Sequence, residues 1–180
     1  MLIRRIAAAV LAALTLAGVQ VATAAPATAA PRVLYYDVSQ AQEFQAVAQQ
    51  GFAIWNSRAT NVRLDPVPAG RTPNIRVYAD NGWPRAYTQS LGNGYWYMGR
   101  QAVNQGYYPP RIAAHEIGHL LGLPDNRTGL CTDLMSGSSA PVSCTNAYPS
   151  ARELATVNAN FASLTSSAAT APARTYVWVG

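Results

Sequence analysis

The sequence contains no lysine, two histidines and two cysteines among its 180 residues. Its thirteen basic residues are therefore all arginines, and with eight acidic residues they give a formal net charge of +5. The arginines are scattered and form no basic stripe of the kind that nucleic-acid-binding domains present. The cysteines lack the CxxC spacing of cysteine-based zinc modules. Nucleic acid is therefore not expected among the partners, and the cysteines are not expected to bind a metal.

Long hydrophobic runs are also scarce, and the one that stands out lies at the start of the chain. Residues 1–5 include two arginines, an apolar run covers 6–19, and small residues occupy 22–25. The run is shorter than the ~20 residues that a membrane span needs, and the pattern is typical of a secretory signal peptide. We expect residues 1–30 to be a signal peptide and short leader, and the mature protein to be secreted, without membrane association.

The remaining length suits one domain. We expect this domain to cover 31–164 and to be followed by a low-complexity tail over 165–180, within which 174–180 is a candidate for a final strand. Between residues 25 and 32 there is no room for a folded prodomain, so we do not expect a prodomain to hold the protein inactive. Two cysteines close together in an exported chain predict a disulfide, which in the chain-entropy model contributes roughly 3 kcal/mol.

Local patterns predict strands and helices in alternation. The predicted strands are 32–38, 62–64, 75–79, 86–90 and 94–99, and the predicted helices are 43–55, 111–121 and a last helix that begins near 150. Ser39 with Gln42, and Ser150 with Glu153, match capping boxes at two of these helix starts. This order indicates an α+β (α/β-like) domain with a mixed twisted sheet, a helix at 111–121 and a C-terminal helix.

Both histidines fall within the sequence AHEIGHLLGLPD. His115 and His119 are four residues apart, so a helix places both imidazoles on one face, within reach of one metal ion. Glu116 directly follows the first histidine and suits the role of general base. Gly122 lets the chain leave the helix with a positive φ, so that Asp125 can supply a third ligand. Three protein ligands with an open fourth position predict the catalytic zinc site of a hydrolase.

The third ligand has two candidates in the sequence. Asp125 lies just beyond the Gly122 turn, whereas Glu153 would be a distant ligand of the kind found in thermolysin-like enzymes. Glu153 already has a local role as the capping partner of Ser150. Met135 also fits a methionine-containing turn below the zinc, which is a mark of metzincins. We therefore predict Asp125 as the ligand and Met135 as support beneath the metal.

The motif HExxHxxGxxD ends in aspartate, where most metzincins have a third histidine, and it resembles the motif of the snapalysins. These are small secreted bacterial neutral zinc proteases. The likeness covers about Arg32 to Phe161, and it includes Ile54–Ser57, Leu134–Gly137 and the Ser143–Asn146 segment with Tyr148 and Pro149. A likeness over that much of the chain is more specific than an isolated HExxH motif.

The resemblance implies a single metzincin-like protease domain with one catalytic zinc. It implies His115, His119 and Asp125 as the zinc ligands, Glu116 as the catalytic residue, and a disulfide between Cys131 and Cys144. It also implies endopeptidase activity on protein or peptide substrates, with a preference for a large aromatic residue on the amine side of the scissile bond.

The sequence departs from the family pattern at two places. Arg127 stands where snapalysins can carry a tyrosine close to the zinc, so it is a candidate for support of the oxyanion, with a solvated loop arginine as the alternative. Tyr108 and Pro110 occupy the stretch through which the family can bind calcium. We therefore expect that calcium site to be missing.

Two stretches are candidates for substrate binding. Ala86–Ser90 is predicted to be an edge strand, along which an extended peptide can lie by β-augmentation. Tyr95–Tyr97 is either a subsite for large side chains or part of the sheet surface. Two other functions stay open at this point: a secreted binding module that keeps zinc for stability, and a hydrolase of another amide, such as a cell-wall peptide. A monomer is expected.

Overall fold

A six-stranded mixed sheet forms the framework of residues 30–162 and 173–178, which are the residues that this computed structural model describes. The strands are β1 (Arg32–Gln40), β2 (Val62–Pro66), β3 (Ile75–Asp80), β4 (Arg85–Ser90), β5 (Asn93–Gly99) and β6 (Arg174–Val177). Their order across the sheet is β2-β1-β3-β5-β4-β6. β4 is antiparallel to both of its neighbours, and all other pairs are parallel.

Four helices accompany the sheet: α1 (Gln45–Asn56), α2 (Arg100–Asn104), α3 (Pro109–Leu120) and α4 (Ala151–Ala162). α1 and α3 lie directly against each other, since a Cβ atom added to Gly51 would come within 2.9 Å of the Cβ of Ala113. The indole of Trp55 donates a 2.8 Å hydrogen bond to the carbonyl of Ala114, which ties the two helices together. The two helices thus pack side by side against the sheet, α1 on β1 and β2, and α3 on β4 and β5.

The core lies between the sheet and the α1–α3 pair. Phe52 and Trp55 of α1, Trp96 of β5 and Ile117 of α3 are all fully buried in it. The ring of Phe52 stacks on Tyr36 of β1 with centroids 3.9 Å apart. These contacts explain the helical apolar spacing in 43–55, and they confirm the predicted α+β fold with a mixed sheet.

The first predicted capping box is wrong. β1 continues through Ser39 to Gln40, and the N–H of Ser39 donates to the Oδ1 atom of Asp37. A 3₁₀ turn at Gln42–Phe44 follows before α1 begins. Because Asp37 binds the backbone of Ser39, the chain stays extended where the sequence pattern predicts a helix start.

The second capping box is present. The N–H of Ser150 donates to Oε2 of Glu153 at 2.6 Å, and the N–H of Glu153 donates to Oγ of Ser150 at 3.4 Å. The predicted β4–β5 hairpin is also present, with Ala86 opposite Trp96.

None of the helices in the described ranges is long and apolar enough to cross a bilayer. The predicted signal peptide, and most of the predicted tail, lie outside the described residues.

The prediction that Ala86–Ser90 is an edge strand is also wrong. β6 pairs with the outer side of β4, and Ala86 lies opposite Tyr176. The C-terminal strand, which the sequence indicates only faintly, is therefore present over Arg174–Val177. Trp178, the next residue, is 1% exposed, so burial of this one indole accounts for the docking of a segment whose first residues are exposed.

Candidate metal centre

Both histidines of the site belong to α3. Pro109 and Pro110 occupy its first turn, where a missing N–H costs nothing. His115 and His119 lie on its inner face, and both rings are buried. After α3, Gly122 adopts a φ of 93°, and this turn brings the carbonyl of Leu123 back to His119.

The two imidazoles are oriented by backbone carbonyls. Nδ1 of His115 lies 3.0 Å from the carbonyl oxygen of Leu134, and Nδ1 of His119 lies 2.8 Å from that of Leu123. A carbonyl only accepts, so each Nδ1 carries a proton, and Nε2 is the ring nitrogen left to act as a ligand. Burial, together with the neighbouring His115, lowers the pKa of His119 to about 3. His119 is therefore neutral at ordinary pH.

Three lone-pair atoms converge at the centre of the site. The Nε2 atoms of His115 and His119 are 3.0 Å apart, and Oδ1 of Asp125 lies 3.3 Å and 3.6 Å from them, respectively. Ligand atoms bound to a tetrahedral zinc at about 2.0–2.1 Å lie roughly 3.3 Å from one another. Three acceptors at these distances repel unless a cation lies between them, so the donor set fits a zinc ion.

The Glu116 carboxylate is also unsatisfied at the site. It is fully buried, and neither of its oxygens has a hydrogen-bond partner among the described residues. Burial raises its pKa well above the usual range, and the nearby charge of Asp125 raises it further. A buried carboxylate without partners in a metal-binding cleft is suited to exchange protons.

A tight turn that contains Met135 forms the floor below the histidines. Leu134–Ser139 is a 3₁₀ segment interrupted at Gly137, which has φ 58° and ψ −136°. A Cβ atom on Gly137 would lie 3.2 Å from Cε1 of His115, and one on Gly118 would lie 2.8 Å from Sδ of Met135. Glycine at both positions therefore allows the turn to lie directly under α3.

Glu153 lies below this turn and is not among the converging ligands. Its carboxylate accepts hydrogen bonds from the N–H groups of Leu134 at 3.1 Å and Met135 at 2.7 Å, in addition to that of Ser150. Of the two candidates for the third ligand, the structure brings Asp125 to the histidines. Glu153 instead fixes the backbone of the floor.

Arg111 is a second support that the sequence reasoning missed. Its buried guanidinium donates to the carbonyls of Cys131 at 3.0 Å, Asn146 at 2.6 Å and Asp133 at 2.6 Å. It therefore connects α3 to the loops that the Cys131–Cys144 disulfide joins. The available signal was an arginine one helical turn before His115, in a first half of the helix that is otherwise apolar.

Arg127 lies at the edge of the site, beside Asp125. Its guanidinium is 3.5 Å from Oδ2 of Asp125 and donates to the Val177 carbonyl at 3.3 Å. The C-terminal residues also cover the imidazoles. The Tyr176 ring stacks on His119 at 3.9 Å, and Trp178 meets the His115 ring edge-on at 4.5 Å. The sequence reasoning missed these two aromatic residues, since nothing in a short terminal strand indicates what it packs against.

Comparisons with known proteins identify the family of this chain. Residues 31–163 match the family described as Streptomyces extracellular neutral proteinase (M7). An extracellular small neutral protease from Streptomyces caespitosus is 43% identical over 129 residues, which cover 71% of this chain and 95% of that protein.

Two further proteins of that name come from Streptomyces sp. (strain C5) and Streptomyces lividans. The first is 42% identical over 68% of this chain, and the second is 38% identical over 69% of it. This chain spans about half the length of each of these two relatives, 53% and 55%. The family match ends before β6. The resemblance predicted from the HExxHxxGxxD motif is confirmed. The chain belongs to the Streptomyces extracellular neutral proteinase (M7) family, and it is a secreted, extracellular protein.

Proposed function

We propose that this protein is a zinc-dependent endopeptidase that hydrolyses peptide bonds in extracellular proteins or peptides. The observation that carries the proposal is the convergence of three lone-pair atoms, from His115, His119 and Asp125, beside the unpaired carboxylate of Glu116. A site that served stability alone would need neither an unpartnered carboxylate nor an open coordination position. The proteolytic activity named for the relatives agrees with this chemistry.

In this proposal His115, His119 and Asp125 hold one zinc ion. The carbonyls of Leu134 and Leu123 orient the two imidazoles, and hydrogen bonds of this kind commonly fix metal-binding histidines. The turn around Met135 supports them from below. When bound, zinc supplies Lewis acidity, which makes water more acidic and stabilises negative charge on a carbonyl oxygen.

Glu116 is the proposed general base and general acid. It takes a proton from the attacking water and returns it to the leaving amine. Its burial favours this role, because a raised pKa makes the carboxylate a stronger proton acceptor than a solvated one.

Arg127 is the proposed support for the carbonyl oxygen of the substrate. In the structure its guanidinium already donates to a peptide carbonyl, that of Val177, beside the ligand Asp125. Charge-assisted donation to an oxygen strengthens as negative charge develops on it.

The proposed preference for an aromatic residue on the amine side of the scissile bond is supported by the surroundings of Trp178. Its indole lies between the rings of His115 and Tyr107, with centroid distances of 4.5 Å and 5.8 Å. A large flat side chain, here that of Trp178, is therefore accommodated next to the ligand set.

The test compares casein hydrolysis by the wild type and Glu116→Gln, together with the zinc content of each. We expect about one zinc in both proteins, and a rate lower by about 10²–10⁴ in the variant. Gln is nearly isosteric with Glu, so loss of zinc in the variant would not be expected on steric grounds. Thr156→Ala, on the exposed side of α4, serves as the matched control and should hydrolyse casein at the wild-type rate.

Two results would contradict the proposal. A wild-type protein without zinc would remove its basis, and equal rates for the wild type and Glu116→Gln would exclude the carboxylate as the base. If both proteins hold zinc and neither cleaves casein, gelatin or cell-wall fragments, a binding role for the zinc protein is favoured instead.

A further inference from the structure

The residues that cover the metal centre belong to one short stretch, Arg174–Trp178, which we call the C-terminal segment. It runs antiparallel to β4, with Thr88 opposite Arg174 and Arg85 opposite Val177. The backbone N–H of Trp178 extends the pairing by donating to the carbonyl of Pro84 at 2.9 Å. The segment thus adds a strand to the sheet in the way that a bound peptide would.

Side chains of the C-terminal segment lie directly over the ligand set. Tyr176 stacks on the His119 ring at 3.9 Å with an interplanar angle of 6°, which places the phenol over a ligand ring. Trp178 is buried against His115 and Tyr107. The Val177 carbonyl, between these two residues, receives a hydrogen bond from Arg127.

This cover closes the site. His115 and Glu116 are 0% exposed and His119 is 1% exposed. A substrate carbonyl has to approach these groups within hydrogen-bonding or coordination distance to react. It cannot do so while Tyr176 and Trp178 are in place, and a peptide cannot pair with β4 while β6 occupies that edge.

We propose that the C-terminal segment is an intramolecular peptide inhibitor, which binds the outer edge of β4 and the aromatic pocket beside His115 and excludes substrate. The inhibitory role rests on the proposed peptidase function, whereas the binding role does not. The edge of β4 and the pocket are thereby assigned as a peptide-binding surface. A ligand of this surface is an extended peptide with an aromatic residue next to the carbonyl that Arg127 contacts.

Because the C-terminal segment belongs to the same chain, its local concentration at the site is high, which increases the fraction of molecules in which it is bound. At an effective concentration of about 1 mM, a segment with a dissociation constant of about 10 µM as a free peptide would be ~99% bound. Arg174 and Thr175 are exposed, so the anchoring depends on Tyr176 and Trp178. Removal of these two rings should therefore release the segment.

The first experiment measures binding without catalysis. A fluorescently labelled peptide with the sequence of residues 173–178 is titrated into the wild type, into Tyr176→Ala/Trp178→Ala and into the matched control Thr156→Ala, on the exposed side of α4. We expect the double variant to bind the peptide at least tenfold more tightly than the wild type does. The control should behave like the wild type. A peptide with alanine in place of the tryptophan should bind to none of the three proteins.

The second experiment measures casein hydrolysis by the same three proteins loaded with zinc. Intact mass verifies that each chain keeps its C-terminus, and thermal unfolding verifies that each is folded. We expect the double variant to be at least tenfold faster than the wild type, and the labelled peptide to inhibit it competitively. The single variants Tyr176→Ala and Trp178→Ala should fall between the two, and they replace the double variant if it does not fold.

The outcomes separate this inference from the proposed function. Equal peptide affinity and equal rates in the wild type and the variants would overturn the inference and leave the peptidase proposal intact. Tighter peptide binding by the double variant without hydrolysis by any protein would support the binding surface and overturn the peptidase proposal. A rate difference that disappears on hundredfold dilution would overturn the intramolecular arrangement, since it would assign the bound segment to a second copy.

Discussion

At the scale of single residues, the carboxylate of Glu153 controls the floor of the site although it contacts neither histidine. Three backbone N–H groups depend on it. Two of these N–H groups, those of Leu134 and Met135, are buried. Because a buried unsatisfied N–H costs about 1–3 kcal/mol, Glu153→Ala should lower the free energy of unfolding by about 2–6 kcal/mol. Glu153→Gln keeps one accepting oxygen and should lose less. Urea denaturation measures both, and an unfolding free energy unchanged in the alanine variant would contradict the assignment.

The residue scale also shows what a sequence pattern can identify. His115, Glu116 and His119 could be predicted because one helical turn fixes their relative positions, and Asp125 because the Gly122 turn has a defined geometry. The contacts of Arg111, and those of Glu153 beyond its capping of Ser150, could not be predicted, since the partners are backbone groups of loops whose positions only the folded chain sets. Tyr176 lies farther still along the sequence from the ring on which it stacks.

At the scale of elements, an ion pair connects the end of β3 to the start of β4 across β5. Arg85 donates to Oδ2 of Asp80 at 2.6 Å, and its guanidinium lies 4.0 Å from the centre of the Tyr97 ring. The hydrogen bond from Arg85 lowers the pKa of Asp80 below its usual value of 3.8. The carboxylate therefore stabilises the fold at pH values above about 3.8, and this contribution is lost as the pH falls through the lower pKa of the folded state.

We expect Asp80→Asn to lower the free energy of unfolding at pH 7 by about 0.5–1 kcal/mol, the range for a partly exposed pair. The difference from the wild type should stay constant between pH 7 and 5 and then disappear in strong acid, where Asp80 is protonated in both states. Urea denaturation across this pH series measures it. A difference that grows in acid would contradict a lowered pKa of Asp80 in the folded protein. Arg63→Ala, which removes a more exposed ion pair to Asp65, is the matched comparison.

Elements also show where prediction from the sequence ended. The strands with alternating or β-branched residues and the helix at 111–121 were predicted within a few residues. The Ser39 capping box failed because Asp37 captures the same N–H, a competition that the motif alone does not reveal. The edge position of β4 failed because pairing with β6 depends on the burial of Trp178, and a pattern of four strand residues carries no information on that contact.

At the scale of the whole molecule, metal binding and folding are coupled in the proposed zinc protein, because the ligands come from α3 and from the loop beyond it. Zinc present at about 1,000 times its dissociation constant stabilises the native state by about 4 kcal/mol. A chelator should therefore lower Tm by roughly 10–15 °C. Differential scanning calorimetry with and without chelator measures the shift.

The control for this prediction is His115→Ala, which removes one ligand. Its Tm should already be low and should hardly respond to the chelator. An equal shift in the variant and the wild type would mean that the stabilising ion lies elsewhere.

Both outer strands of the sheet are short. β2 has five residues and ends in Pro66, and β6 has four residues and begins with Arg174. β4, the neighbour of β6 in the sheet, has six residues. A short edge with proline or charge is a poor template for strand pairing between molecules. Release of the C-terminal segment would expose the longer β4 edge together with the aromatic pocket. The strand proposed to block the site should therefore also protect the protein from aggregation, so that a variant with a free site is expected to be less soluble at high concentration.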